Sequence, residues 1–145
     1  MAKAPVAKSM RPVAERAGEW WMREVMGCVR TRRALRTKFA RVDFYAADII
    51  GKLADGACIY SQVTAGQAEA VRTRRRKLEA IPWHPSERVL LLKLFSEPAS
   101  AKGNAKLWYF RVHEYLHQDD QWVILDEKSP IKPEWFKAWR EPDAK

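Results

Sequence analysis

Helix-like spacing of apolar side chains marks two segments of the chain. Residues 11–27 repeat apolar positions along one helical face, and Pro12 and Gly27 suit the first turn and the end of that helix. Residues 67–81 combine apolar positions at helical spacing with a run of basic side chains, which is the pattern of an amphipathic helix. We therefore predict two helices, preceded by a flexible basic leader over residues 1–10.

Runs rich in β-branched and aromatic residues predict the strands. Two of these runs flank a turn at residues 51–56 that contains Gly and Asp, so we expect a hairpin there. The tail, residues 116–145, is a Trp-rich extension whose last short helix would pack through Trp135 and Trp139. This succession of helices and strands predicts one small α/β domain over residues 11–145. The predicted strands are residues 28–33, 42–50, 57–63, 88–95 and 107–115.

The composition excludes several protein classes. Hydrophobic residues make up 47% of the 145 residues, which is typical of a globular protein rather than a disordered basic tail. No apolar run approaches the roughly 20 residues that span a bilayer, and we expect no secretory signal at the first residues. The only cysteines, Cys28 and Cys58, are too few for a disulfide scaffold and favour a reducing cytoplasm.

Positive charge is concentrated in two stretches. The net charge is +9, and residues 1–41 alone hold 11 Lys and Arg against three acids. Residues 42–65 are acidic, whereas residues 66–93 are basic again, with seven Lys and Arg against three acids. An acidic segment between two basic ones is typical of a protein that binds a polyanion and holds a cation at the contact. Nucleic acid is therefore the expected partner, and solvated surface charge is the alternative interpretation.

An acid and an amide fall at neighbouring strand ends of the predicted hairpin. Asp48 lies near the end of one strand, and Gln62 and Thr64 end its partner. The side-chain oxygens of Asp48 and Gln62 can then share one hard cation. Glu15 and Glu19, four residues apart on one helical face, can add a third oxygen ligand. Such a group suits a Mg²⁺ ion that activates water for attack on a phosphodiester. Alternatively, Asp48 is a turn residue and Gln62 only caps a strand.

These residues resemble a known nuclease family. Residues 42–50 followed by Gln62-Val63-Thr64 look like the core of the PD-(D/E)xK nucleases, most nearly the archaeal-type Holliday junction resolvases and their phage and bacterial relatives. The resemblance covers residues 11–115. It implies a single-domain nuclease-like α/β fold, in which helices flank a mixed central sheet.

The resemblance also implies roles for individual residues. Asp48 is the main metal ligand, residues 62–64 take the place of the family's Glu-x-Lys, and Asp43 is a further ligand. Glu19, or Glu15 as the second choice, is the helical Glu. The implied catalytic residues are Glu19, Asp48, Gln62 and Thr64, and the implied ligands of Mg²⁺ or Mn²⁺ are Asp48, Gln62 and Asp43.

Two positions depart from the family's pattern. Gln62 is a neutral ligand where the family usually has a carboxylate, and this weakens a divalent-cation site. Thr64 removes the lysine that stabilises charge in the transition state. We hypothesise that a basic side chain from residues 72–77 replaces that lysine. The same departures keep open a protein that binds DNA without cutting it.

The function that the resemblance implies is structure-selective cleavage of DNA. A homodimer would resolve four-way junctions by paired nicks, as a cytoplasmic hydrolase of DNA recombination and repair. The alternatives are a repair- or restriction-type endonuclease of the same superfamily and a non-catalytic DNA-binding module. Basic side chains would contact phosphates rather than read bases. We expect these contacts from Arg30, Arg32, Arg33, Arg36, Lys38, Arg41, Arg72, Arg74, Arg75, Arg76 and Lys77.

One further motif is best explained as a chance match. Residues 113–117 spell His-Glu-x-x-His, which grips zinc on a helix, where both His side chains share a face. Here the motif continues the predicted strand 107–115, on which its two histidines would lie about 13 Å apart. We therefore do not expect a zinc-protease site.

Overall fold

A computed structural model describes residues 6–33, 35–36, 41–42 and 47–137 of the chain. These residues form helices and a six-stranded sheet. The helices are α1 (Val6–Glu24) and α2 (Ala68–Glu79), and a short 3₁₀ helix covers Pro133–Phe136. Among these residues, no helix combines the length and apolar composition that crossing a bilayer requires. The strands are β1 (Arg30–Arg33), β2 (Leu35–Arg36), β3 (Arg41–Val42), β4 (Ile49–Lys52), β5 (Cys58–Thr64), β6 (Arg88–Pro98), β7 (Lys106–Leu116) and β8 (Gln121–Pro130).

The sheet is mixed, as the resemblance implies. Its strand order is β1-β4-β5-β6-β7-β8. Neighbouring strands are antiparallel except for β5 and β6, which are parallel. A parallel pair needs a crossover connection, and α2 provides it. Strands β2 and β3 form a separate antiparallel pair, in which Leu35 is in register with Val42.

One face of the sheet, here the α1 face, packs on α1 and holds the main core. Ile49 and Val63 point to this face, because a Cβ added to Gly18 of α1 would lie 2.9 Å from Ile49 Cδ1 and 3.2 Å from Val63 Cγ2. Trp21 of α1 is buried there and meets the ring of Phe110 edge-on. The buried core residues are Ala14, Ala17, Trp21, Met22, Cys28, Ile49, Ile59, Val63, Leu90, Leu92, Leu94, Phe110, Val112, Ile131 and Trp135.

The opposite face, here the α2 face, packs on α2 around a smaller core of Leu78, Val89, Leu91 and Tyr115. Side chains alternate between the two faces along a strand. Because Val63 points to the α1 face, its neighbours Gln62 and Thr64 point to the α2 face. The residues predicted to do chemistry on β5 therefore lie under α2.

The helices and the hairpin differ from prediction at their ends. Helix α1 begins at Val6, so residues 6–10 of the predicted leader are helical. Pro12 lies inside the helix, where its missing N–H removes one hydrogen bond without ending the helix. Strands β4 and β5 pair as the predicted hairpin. Their turn covers residues 53–57, so it begins two residues later than the predicted turn at 51–56.

The C-terminal extension contains a strand that the sequence did not reveal. Strand β8 pairs with β7 through backbone hydrogen bonds, while most of its side chains are exposed, so it lacks an alternating apolar pattern. Trp135 packs in the core from the 3₁₀ helix, as predicted. The predicted contact of Trp139 lies outside the described residues.

Candidate functional site

Asp48 lies directly before β4 and is fully buried. Its backbone N–H donates to the carbonyl of Ser61 at 2.7 Å, and its Oδ2 accepts the backbone N–H of Val63 at 2.9 Å. The carboxylate thus serves as an acceptor for the backbone of β5. This arrangement holds Asp48 against β5, and Arg74 Nη1 lies 3.8 Å from the same Oδ2.

Gln62 and Arg74 complete a cluster with Asp48, here called the Arg74 cluster. Arg74 Nη1 donates to Gln62 Oε1 at 2.6 Å and lies 3.8 Å from Asp48 Oδ2. Gln62 is 2% exposed, and the Arg74 side chain is 19% exposed. The acid and the amide oxygen that the sequence pairs do come together, and they share a guanidinium. Arg74 is also the residue of the 72–77 run that reaches this site.

Thr64 lies one step further along β5 and is also buried. Its Oγ1 accepts the backbone N–H of Gly66 at 3.0 Å, so the hydroxyl supports the turn into α2. In the parallel ladder, Thr64 is the direct register partner of Lys93 on β6. A lysine therefore stands on the neighbouring strand beside the position where the family pattern has one. The sequence does not indicate Lys93, because only the register between β5 and β6 places it beside Thr64.

Glu19 is held by β1. Thr31 Oγ1 donates to Glu19 Oε2 at 2.7 Å, and Arg33 Nε lies 3.4 Å from Glu19 Oε1. Arg23 Nε in turn donates to Thr31 Oγ1 at 2.9 Å. Glu15, the second choice for a helical ligand, is buried on the same helix. Within residues 6–33 and 47–137, no three His, Cys, Asp or Glu side chains lie close enough together to hold a metal ion.

The donor set at the Arg74 cluster does not fit Mg²⁺ in this arrangement. Asp48 supplies one carboxylate and Gln62 one amide oxygen, and Arg74 already contacts both. Mg²⁺ prefers near-octahedral oxygen coordination, usually with one or two carboxylates and several waters. A guanidinium between the two oxygens would repel such an ion. Asp43, the other predicted ligand, lies outside the described residues.

Exposed cations from three elements share the α2 face. Thr31 and Arg33 turn toward α1, so Arg30 and Arg32 of β1 point the other way, and both are exposed. Lys52 is the exposed register partner of Arg30. Helix α2 adds the exposed side chains of Arg72, Arg76 and Lys77. We call this surface the basic face: Arg30, Arg32, Lys52, Arg72, Arg76 and Lys77.

Several predicted phosphate contacts are engaged elsewhere. Arg33 pairs with Glu19, and Arg74 pairs with Asp48 and Gln62, so neither side chain is free to bind DNA. Arg36 and Arg41 have their backbones in β2 and β3, and Lys38 lies outside the described residues.

Arg75 is directed at the sheet rather than at solvent. Its Nη2 donates to His113 Nδ1 at 2.9 Å, and its guanidinium lies 5.0 Å from the centre of the Trp122 ring. Burial and the nearby charges of Arg75, Arg111 and Lys93 lower the pKa of His113 to about 4. The His-Glu-x-x-His motif is extended, as the sequence predicts: its first four residues lie on β7, and His117 directly follows the strand and contacts the carbonyl of Glu87.

Comparison with known proteins adds no relative to this picture. No family model matches the chain, and neither the curated proteins nor the solved structures include a match. The function must therefore be inferred from the residues and their geometry.

Proposed function

We propose that the protein binds DNA through the basic face. The main observation in support of this proposal is that exposed cations of β1, β4 and α2 lie on the same side of the sheet. Such a surface contacts phosphates, which set affinity and orientation without reading bases. A four-way junction is the preferred substrate in this proposal, because the resemblance to junction resolvases supports it.

The order of elements supports a nuclease-like core. A helix with a buried Glu is followed by a strand preceded by Asp48, and then by a strand ending in Gln62-Val63-Thr64. This is the succession that the resemblance to PD-(D/E)xK nucleases implies. Because Arg74 supplies the positive charge between Asp48 and Gln62, we infer that the cluster stabilises the fold and that the protein binds DNA without cutting it.

A second candidate function is metal-dependent cleavage of the junction. The observation in its favour is that Asp48 and Gln62 meet at neighbouring strands on the α2 face. In this proposal Asp48 and Gln62 would hold Mg²⁺ or Mn²⁺ only in a state in which Arg74 no longer contacts them. The ion would supply activation of water and charge neutralisation at the phosphate.

The binding experiment compares a fluorescent four-way junction with a linear duplex of the same arms. We expect tighter binding to the junction and a steep loss of affinity with salt. Each phosphate contact contributes a slope of about −0.9 in a plot of log affinity against log salt. The double variant Arg30→Glu/Arg32→Glu should weaken binding at least about tenfold and reduce that slope by about two. Unchanged binding by this variant would exclude the basic face.

A matched control changes two exposed lysines of the β6–β7 hairpin, Lys102 and Lys106, which lie outside the basic face. Lys102→Glu/Lys106→Glu makes the same change in net charge as the test variant. We expect it to alter junction affinity less than about threefold, because non-specific long-range charge is screened at moderate salt. Equal losses in both variants would indicate a general charge effect.

Cleavage is tested on the same junction with Mg²⁺ or Mn²⁺ for wild type, Asp48→Asn and Arg74→Gln. Intact DNA with all three proteins supports the binding module. Paired nicks by wild type that vanish in Asp48→Asn would instead establish the second candidate and place its ion at Asp48.

A homodimer and a cytoplasmic location complete the proposal. Val123, Ile124 and Leu125 are exposed on β8, the last strand in the sheet order, and a second copy of the chain is the occupant that the resemblance implies. Sedimentation should show a dimer that Ile124→Lys converts to a monomer. Cys28 and Cys58 are both free thiols, which supports a reducing compartment.

A further inference from the structure

A pocket of about 440 Å³ opens on the α2 face of the sheet. Gln67 and Ala68 line it at the start of α2, and Val71 lines it one turn further along. Strands β6 and β7 contribute its remaining sides through Lys93, Arg111 and His113. Arg72 is the one residue that this pocket shares with the basic face, and the proposed function does not use the rest of its lining.

Every charged side chain that lines the pocket is a cation, and these are Arg72, Arg75, Lys93 and Arg111. Lys93 and Arg111 are direct register partners on β6 and β7. Like charges placed directly opposite each other destabilise a sheet. Burial, followed by the charge of Arg111, lowers the pKa of Lys93. The protein thus keeps a pair of cations together at an energetic cost.

Hydrogen-bond donors in the pocket are fixed and incompletely used. Arg75 is held by His113 and by the Trp122 ring, yet its buried Nε has no hydrogen-bond partner among the described residues. Gln67, the residue before α2, makes no side-chain cap in the described structure, so the first N–H groups of the helix can donate to another partner. Fixed donors and uncompensated positive charge are what an anion site requires.

Two acids that do not line the pocket pair with cations that do. Glu69 pairs with Arg72 at 2.7 Å, and Glu127 lies 3.5 Å from Arg111. Both acidic side chains are largely exposed, and exposed ion pairs of this kind are weak. The field inside the pocket therefore remains positive.

We propose that this pocket binds a phosphate dianion, with Arg75, Lys93 and Arg111 as its main donors. Several cations around one site match a doubly charged phosphomonoester better than a singly charged backbone diester. This chemistry is shared by a terminal phosphate of a nucleic-acid strand and by free phosphate. The assignment to DNA ends rests on the proposed function, whereas the phosphate site itself does not.

The first test titrates the protein with inorganic phosphate and, separately, with chloride at equal ionic strength. Calorimetry should detect phosphate binding by wild type, and thermal melting should show stabilisation by phosphate that chloride does not give. Lys93→Met should bind phosphate about tenfold more weakly, because it loses one charged donor. Without phosphate, Lys93→Met should melt at a higher temperature than wild type, because the variant relieves repulsion from Arg111.

Controls separate this result from a general effect of charge. Lys102→Met, at an exposed lysine outside the pocket, should bind phosphate as wild type does. Arg111→Gln should repeat the loss seen in Lys93→Met. Wild type that shows no phosphate binding beyond the chloride control overturns the proposal, as does phosphate binding that neither pocket variant weakens.

The second test compares junctions with and without 5′-phosphates. Tighter binding of the phosphorylated junction, with the preference lost in Lys93→Met, assigns the pocket to DNA ends. Equal binding of both junctions overturns that assignment. A positive phosphate titration would then indicate that the pocket binds free phosphate. Arg30→Glu/Arg32→Glu tests the basic face and should leave the phosphate titration unchanged, so a failure of the proposed function and a failure of the pocket are distinguishable.

Discussion

The two faces of the sheet differ in what they bury. On the α1 face, 15 buried residues join one hydrophobic core. On the α2 face, the core has four buried residues, and Asp48, Gln62 and His113 are buried close to Arg74 and Arg75. Apolar burial is the main source of stability, whereas buried ionic groups contribute little net stability. The comparison indicates that the α1 face supplies most of the stability of the fold and that the α2 face is where binding is to be sought.

Truncating the largest buried side chain of the α1 face should have the largest effect. Trp21→Ala removes a buried ring that packs on Phe110 and donates to Ser129 Oγ, so we expect a loss of about 3–5 kcal/mol in the free energy of unfolding. Urea denaturation measures this loss. Trp122→Ala on the α2 face is the matched variant, because Trp122 is only partly buried. An equal loss in both variants would contradict the comparison.

Breaking the Arg74 cluster should have the next largest effect. Asp48→Asn keeps an acceptor for Val63 but removes the carboxylate charge beside the Arg74 guanidinium, so we expect a loss of about 2–3 kcal/mol in the free energy of unfolding. The double variant Asp48→Asn/Arg74→Met should be less destabilised than the sum of the single variants, because it removes both members of the charged pair. Asp55→Asn in the exposed β4–β5 turn is the control. Additive losses would show that Asp48 and Arg74 are not coupled.

Acid should weaken the α2 face through His113. Unfolded His113 takes up a proton below about pH 6.5, whereas its folded pKa is about 4, so the unfolded state binds more protons between these values. Stability therefore falls as the pH drops from 6.5 toward 4. Because the site is partly solvated, we expect His113 to account for about 1–2 kcal/mol of that fall. Urea denaturation at several pH values measures the difference from His113→Gln, and identical pH profiles for both proteins would contradict the prediction.

The smallest expected effect is a difference in reactivity between the two cysteine thiols, of which Cys28 lies in the core of the α1 face. Burial is the main cause that raises the pKa of the Cys28 thiol to about 11, while Cys58 is partly exposed. A thiol reagent at pH 8 should therefore label Cys58 quickly and Cys28 only as the protein opens. Cys58→Ser should remove the fast phase. A fast phase that persists in this variant would show that the α1 face is open to the reagent.

The sequence predicts individual helices and hairpins better than it predicts which elements pack or pair with each other. Periodicity predicts both helices and the β4–β5 hairpin, because each depends on nearby residues. It also pairs Asp48 with Gln62, since a hairpin brings its own strand ends together. Strand β8 was not predicted, because most of its side chains are exposed and show no alternating apolar pattern. Its strand conformation depends on backbone pairing with β7.

The cations of the α2 face show the same limit. A basic run on α2 is visible in the sequence, but it does not reveal that Arg74 and Arg75 turn inward while Arg76 and Lys77 remain exposed. Nor does it reveal Lys93, whose place beside Thr64 and Arg111 depends on the register of three strands. Such long-range register is set by the packing of the whole sheet.

Helix α1 is covered by residues that are translated much later than the helix itself. Arg16 and Trp20 donate to the carbonyls of Phe136 and Lys137, and Trp21 donates to Ser129, across 120, 117 and 108 positions. At a translation rate of about 5–20 residues per second, these partners follow the helix by about 5–25 seconds. During that interval the nascent helix presents an apolar stripe without its cover, so a ribosome-associated chaperone would find its target in α1.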